Sequence, residues 1–215
     1  MQVDIWSDIA CPWCFIGKRR FERALAAWEH RDEVTVTWRS YQLDPTLPER
    51  YDGTEADYLA ARKGMPVEQV RQMFAHVAEQ AAGVGLDYDF DALVVANSLR
   101  GHQLLHLAAE HGLGDAVKEA LLSAHFERGA DIGSIDELVR IGLGAGLDGA
   151  GLDEGAVREA LADERYLPAV RADIAEAQRI GVSGVPFFVF DMRLAVSGAQ
   201  PPEVFAQALE AAGEA

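Results

Sequence analysis

Cys11 and Cys14 are the only two cysteines of this 215-residue chain, and they stand in the run Cys11-Pro12-Trp13-Cys14. Two thiols at that spacing, at the start of a helix, are close enough to close a disulfide. The chemistry uses them unequally. A sulfur at a helix N-terminus faces unpaired N–H groups and the positive end of the dipole, both of which favour an anion. The expected Cys11 pKa therefore lies in the depressed range of about 3.5–7.5. Cys11 is the expected nucleophile, and Cys14, one turn deeper, the expected resolver of the mixed disulfide. A half zinc site is the competing use of such a pair. It needs two more ligands, there is no third cysteine, and His30 falls on another part of the following helix.

The elements that must hold these thiols are legible in the hydrophobic pattern. Residues 3–6 (Val-Asp-Ile-Trp) alternate as a short strand does. Pro12 suits a first helical turn, because its missing N–H has no partner there anyway. Phe15, Ile16, Phe21, Leu25 and Trp28 then recur at near-helical spacing, and Val34, Val36 and Trp38 alternate as a second strand. A proline-punctuated loop spans about 43–50, and strand patterns vanish until about Ile180. Val70, Met73, Phe74 and Val77, and likewise Ile135, Leu138, Val139 and Gly142, follow the helical stripe. Glycines 112, 114, 129, 146 and 149 are the expected helix stops. Phe187–Phe190 then reads as a buried strand, Leu194–Val196 as its hairpin partner, and Pro201-Pro202 as the opening of a last amphipathic helix. The order β-α-β, helices, β-β-α predicts one α/β domain, residues 1–50 and 180–215, interrupted by an all-helical insertion over 51–179.

A second chemical element is Gly181-Val182-Ser183-Gly184-Val185-Pro186. Proline directly before a buried strand marks a strand start or a cis turn. Lacking an N–H, Pro186 offers no donor to a nearby thiol.

Taken together, these residues resemble the DsbA-like thioredoxin superfamily, and within it the FrnE-type cytoplasmic branch. The resemblance rests on Ser7-Asp8, Cys11 to Lys18, Asn97 with His102, Gly181 to Pro186, and Ser197-Gly198-Ala199-Gln200. It implies a thioredoxin-like fold with an inserted helical domain, a Cys11 nucleophile, a Cys14 resolver, a cis Pro186 beside the thiols, and a Val185 backbone free to pair with substrate. It also implies that Asn97 and His102 line the cleft between insertion and thioredoxin domain. Trp13 is a departure, since DsbA itself carries a histidine between its cysteines. An indole lends no charge to the thiolate, so the disulfide should be less oxidising, and Trp13 instead forms an apolar lip.

Asp4 occupies the first strand, where thioredoxins carry an aspartate under the resolving cysteine. Its spacing here differs by one residue, and one residue in a strand turns a side chain to the other face. Asp4 is therefore expected either near Cys14 or solvated. Asp8, if close, would raise the Cys11 pKa. His102 and His106 stand at i, i+4, a spacing able to bind metal, but no carboxylate or cysteine is patterned beside them. Ordinary helix histidines, one exposed and one half-buried, are expected. Lys18, Arg19 and Arg20 read as a solvated helix face.

The formal charge of −16 repels phosphate backbones and anionic lipid, so nucleic acid and membrane are not expected partners. Met1-Gln2-Val3-Asp4 lacks a positive start, and Asp4 and Asp8 interrupt any apolar run, so the expected compartment is the cytoplasm. The expected function is thiol–disulfide exchange with protein or small-molecule disulfides. No cofactor is expected beyond the redox pair itself, with glutathione or thioredoxin as recycling reductant and no metal. The competing class is the kappa-type glutathione transferases and 2-hydroxychromene-2-carboxylate isomerases. These carry a serine where Cys11 stands and an Asp-Arg pair where this chain reads Ala199-Gln200-Pro201-Pro202. A thiol chaperone or binding module is the third possibility.

Overall fold

Alternating side chains on β1 (Gln2–Ser7) divide two buried faces between them. In the computed structural model, which describes residues 1–214, β1 lies at the centre of a sheet of order β2-β1-β3-β4. Residue 215, the last of the expected C-terminal segment, lies outside the described residues. β2 (Thr35–Ser40) runs parallel to β1, with Ile5 opposite Trp38. A parallel neighbour requires a crossover, supplied by helix α1 (Pro12–Ala27). β3 (Phe187–Phe190) runs antiparallel to β1, with Ile5 opposite Phe188, and β4 (Leu194–Ser197) forms a hairpin with β3.

One face of the sheet buries Val3, Ile5, Phe188 and Phe190 against Phe21 of α1 and Phe205 and Leu209 of α9 (Pro202–Gly213). Phe21 is its hub, touching the rings of Phe188, Phe190 and Phe205. The other face carries Trp6 and Val189 against Ala177 of α8 (Leu167–Arg179). Trp6 Nε1 donates to the Asp173 carbonyl across this interface at 2.9 Å.

Between β2 and α8 the chain is helical, as its stripe pattern predicts. It forms α2 (Glu55–Lys63), α3 (Val67–Ala82), α4 (Leu99–Glu110), α5 (Gly114–Arg128), α6 (Ile135–Gly142) and α7 (Glu154–Ala162). Thr54, Ser134 and Asp153 cap α2, α6 and α7 by accepting from free backbone N–H groups. Gly129 ends α5, whereas Gly114, expected as a stop, is the first residue of that helix. Leu104, Leu107, Val117, Leu121, Leu138 and Val157 build a separate core here. Ile9, from the loop after β1, is wholly buried in it and ties the start of the chain to the insertion.

Phe21→Ala should remove the shared contact of α1, α9 and the sheet. A loss of about 3–5 kcal/mol is expected for a buried aromatic, readable as a lower midpoint in urea unfolding.

Candidate active site

Cys11 caps α1 and Cys14 lies one turn inside it, both as free thiols. Cys11 is 4% exposed and Cys14 0%, so only Cys11 is open to attack. Opposite stands the loop before β3. Its Val185–Pro186 bond is cis, and the Cys11 thiol donates to the Val185 carbonyl at 3.6 Å, linking positions 174 residues apart. Gly198, at φ +82°, closes the turn after β4 and donates its N–H to the Pro186 carbonyl at 2.8 Å. Gly17 of α1 leaves room for the proline ring: a Cβ there would meet Pro186 Cγ at 2.8 Å.

Cys11, Pro12 and Trp13 form one wall of a cavity of about 370 Å³. Leu47, Leu59, Phe74, Val77, Val95 and Phe126 make it apolar, so it suits an apolar group next to a reacting sulfur. Trp13 sits on its lip, its ring 6.4 Å from that of His76. Glu55 lines it too, its carboxyl pKa pushed up to about 7 by burial. Tyr88 donates to the Pro12 carbonyl at 2.7 Å and so fixes the turn between the cysteines from the insertion side.

Asp8, just before the pair, is buried and heavily hydrogen-bonded. It accepts from Leu43 N–H at 2.7 Å, from Ala10 N–H at 3.2 Å and from His102 Nε2 at 3.2 Å. Burial raises its pKa most, but His102, Leu43 and Ser98 together outweigh that and hold it below the ordinary aspartate value. His102 is fully buried, contrary to the expected ordinary helix position. Burial lowers its pKa more than Asp8 raises it, so the ring is neutral at pH 7. The buried carboxylate thus keeps its charge.

Cys11 is pushed well above the usual thiol pKa, chiefly by its hydrogen bond to Cys14, then by burial and by the charges of Cys14 and Asp8. Burial raises Cys14 too, but the bond from Cys11, the charge of Lys118, the Ser7 hydroxyl and the Asp8 backbone outweigh it and lower its pKa. The helix-start argument expects the lowered pKa on Cys11; its surroundings raise Cys11 instead and lower Cys14. The reason is positional: Lys118 and Ser7 stabilise a charge on Cys14, while the Asp8 carboxylate opposes one on Cys11.

Asp4 does not face Cys14. With period-2 alternation it shares the α8 side of β1 with Trp6, while Ser7 falls on the thiol side. Asp4 is not solvated either: Arg39 Nε donates to it at 2.7 Å, and Arg39 also reaches Asp173 at 3.3 Å. His106 turns away from His102 to Asp173 (3.1 Å) and Ser40, so the two histidines share no ligand position. No group of three or more His, Cys, Asp or Glu able to hold a metal occurs among the described residues. Asn97 spends its amide on the loop that carries Leu47, donating to the Leu47 carbonyl at 2.6 Å and accepting from Gln42 at 2.9 Å. It supports the cavity wall and does not line it.

Lys18 and its neighbours are not a solvated face. Lys18 is 1% exposed and pairs with Glu22, Asp115 and Glu119. Arg19 bridges Glu22 and Glu119, and Arg20 donates to the Ala199 carbonyl and to Gln80. Carboxylates on α5, about a hundred residues away, convert an apparent surface patch into an interface. The sequence reasoning also missed Lys118 and Tyr88. Lys118 has a legible signal, for it stands at i relative to Leu121, Leu122 and His125, a charge on an apolar helical stripe.

A family model described as a DSBA-like thioredoxin domain matches residues 2–210. Among solved structures, a probable DsbA oxidoreductase of Streptomyces coelicolor is 44% identical. The match covers 100% of this chain and 90% of that one, with a TM-score of 0.91. The cytosolic disulfide reductase DsbM of Pseudomonas aeruginosa, solved with GSH, is 18% identical with full coverage of both chains and a TM-score of 0.68. A 2-hydroxychromene-2-carboxylate isomerase is 15% identical, covering 100% of this chain and 95% of its own, with a TM-score of 0.62. At those identities the likeness is one of fold. The Bacillus subtilis protein YwbO is 24% identical over 214 residues, 97% of this chain and 96% of its own length.

Two outcomes are expected from this geometry. Gly17→Ala should press on the Pro186 ring, costing about 1–3 kcal/mol in urea unfolding and slowing disulfide exchange. Asp8→Asn should remove the charge that opposes a Cys11 thiolate, so iodoacetamide should label Cys11 faster at pH 7. It should also change acid stability. Because Asp8 has a depressed folded pKa, its contribution is present above the unfolded value of about 3.9 and lost as pH falls through the folded one. The variant's unfolding midpoint should therefore fall less steeply on acidification.

Proposed function

The chain belongs to the DSBA-like thioredoxin domain family, and from that premise we propose that it is a thiol–disulfide oxidoreductase of the FrnE-type branch. Cys11 is its nucleophile and Cys14 its resolving thiol. The observation that carries this is the asymmetry of the pair: Cys11 opens onto the cavity beside the Val185–Pro186 turn, and Cys14 is sealed one turn behind it.

For a substrate disulfide, the Cys11 proton passes to the neighbouring Cys14, and the Cys11 thiolate attacks one substrate sulfur. The second substrate sulfur leaves with the electron pair of its bond and is released as a thiol. Cys14, deprotonated again, attacks the Cys11 sulfur, closes the enzyme disulfide and expels the first substrate sulfur. Run backward, the same steps oxidise a dithiol. Once Cys11 gives up its proton, the Val185 carbonyl loses its present donor and can accept from an extended substrate backbone. Pro12 and Trp13 shape the mouth. Asp8 and His102 hold the loop before Cys11, and Asn97 holds the facing wall. The proposed substrates are protein or small-molecule disulfides with an apolar group beside the sulfur. The proposed compartment is the cytoplasm, with glutathione or thioredoxin as recycling reductant. No described helix is long and apolar enough to cross a membrane.

Cys11→Ser should abolish insulin reduction, and Cys14→Ser should accumulate mixed disulfides visible by mass spectrometry. Neither variant nor the wild type should conjugate glutathione to a chlorinated aromatic. Faster alkylation of Cys14 than of Cys11 in the reduced wild type would overturn the assignment of roles.

A further inference from the structure

Two buried lysines flank the Trp38 indole, with Lys18 Nζ 5.8 Å and Lys118 Nζ 5.5 Å from the ring centroid. Their situations differ. Lys18, on α1, is bound by three carboxylates, Glu22, Asp115 and Glu119. Lys118, on α5, is 0% exposed, and its Nζ makes no hydrogen bond at all. A buried ammonium without a partner is strongly disfavoured unless an opposite charge lies near.

The fold places one there intermittently. Cys14 and Lys18 are i, i+4 on α1 and so share a helix face, and Lys18 of that face reaches the indole. Leu122, one turn after Lys118, packs with Phe15 and Ile16 in a single cluster. Lys118 therefore lies across from the first turn of α1. The ionisable groups around it are Cys11, which caps α1, Cys14 and Lys18 from α1, Asp8 from the loop after β1, His102 from α4, and Asp115 of α5, which accepts from the Trp38 indole N–H at 2.9 Å and pairs with Lys18. Asp8 is already bound by Leu43, Ala10 and His102, and His102 is neutral at pH 7. Burial draws the Lys118 pKa down to about 8, and of the groups that oppose this the Cys14 sulfur acts most strongly.

We propose that Lys118 is a positioning residue for the redox pair: its ammonium holds the Cys14 sulfur as a thiolate, and it gives up its proton when that sulfur enters the disulfide. This rests on the oxidoreductase reading of the site. The protons balance. Reduced enzyme carries a Cys11 thiol, a Cys14 thiolate and a Lys118 ammonium. Reaction with a substrate disulfide leaves the enzyme disulfide and a neutral Lys118 amine. The Cys11 proton and the Lys118 proton go to the two departing substrate thiolates. The two electrons that reduce the substrate come from the sulfurs that form the Cys11–Cys14 bond. The helical insertion thereby supplies the charge that the indole of Trp13 cannot.

Lys118→Met tests this, since methionine keeps the length and apolar stem. The midpoint of the ultraviolet thiolate titration should rise by about one pH unit, and the equilibrium in glutathione buffers should shift about tenfold toward the disulfide. Lys118→Arg, which keeps the charge, should retain the low midpoint. A wild-type measurement guards against a variant that fails to fold. With ¹⁵N-lysine labelling, Lys118 should titrate at a higher pH in reduced than in oxidised protein. An unchanged midpoint in Lys118→Met, or one Lys118 pKa in both redox states, overturns the proposal. If oxidation gives no Cys11–Cys14 disulfide by mass, the oxidoreductase reading falls and the proposal with it. If the disulfide forms but Lys118 is indifferent to it, only Lys118's part falls.

Discussion

A thiolate is useful only where something stabilises it, and in this protein both sulfurs are nearly or wholly removed from water. The compensation must then come from the protein itself, and no single segment supplies it. Ser7 comes from the end of β1, the Asp8 backbone from the loop that follows it, and Lys118 from α5. These groups meet only when the sheet, α1 and the insertion are all assembled. The insertion is thus part of the electrostatics of the site and not only a wall around it. The α1–α5 junction fits that role: Lys18 and Arg19 join α5 through Asp115 and Glu119, which fixes the helix that carries Lys118.

The same division of charge organises the far side of the sheet. Asp4, Arg39, Asp173 and His106 form a partly buried chain that secures α8 to β1 and β2. Asp173 keeps a depressed pKa because His106, Ser40 N–H and Arg39 together outweigh the burial that raises it. One face of β1 therefore ends in a redox pair and the other in a structural ion network. Strand parity alone decides which residue joins which.

That parity explains much of what the sequence discloses and what it hides. The run from Cys11 to Cys14, the strand Phe187–Phe190 and the proline before it are local patterns, and local patterns survive in a linear reading. Asp4 shows the limit, because a one-residue offset leaves composition unchanged yet moves a carboxylate through the sheet. Lys18 and Arg19 show another: they look solvated until α5 brings Glu119 to them from a hundred residues on. The lowered pKa of Cys14 is only partly legible for the same reason. A helix N-terminus favours Cys11 and the sequence already sets Asp8 against it, but Lys118, a hundred residues on, reaches Cys14 only in the folded chain.

The central claim is that Cys11 and Cys14 form one two-electron redox couple, poised by groups from both parts of the fold. It is tested most directly by equilibrating the protein in glutathione buffers and following the fraction of disulfide. The account predicts a single two-electron transition with a midpoint between about −270 mV, the thioredoxin value, and about −120 mV, that of DsbA. A pair that never closes into a disulfide across that range, or that titrates as two independent thiols, would contradict it.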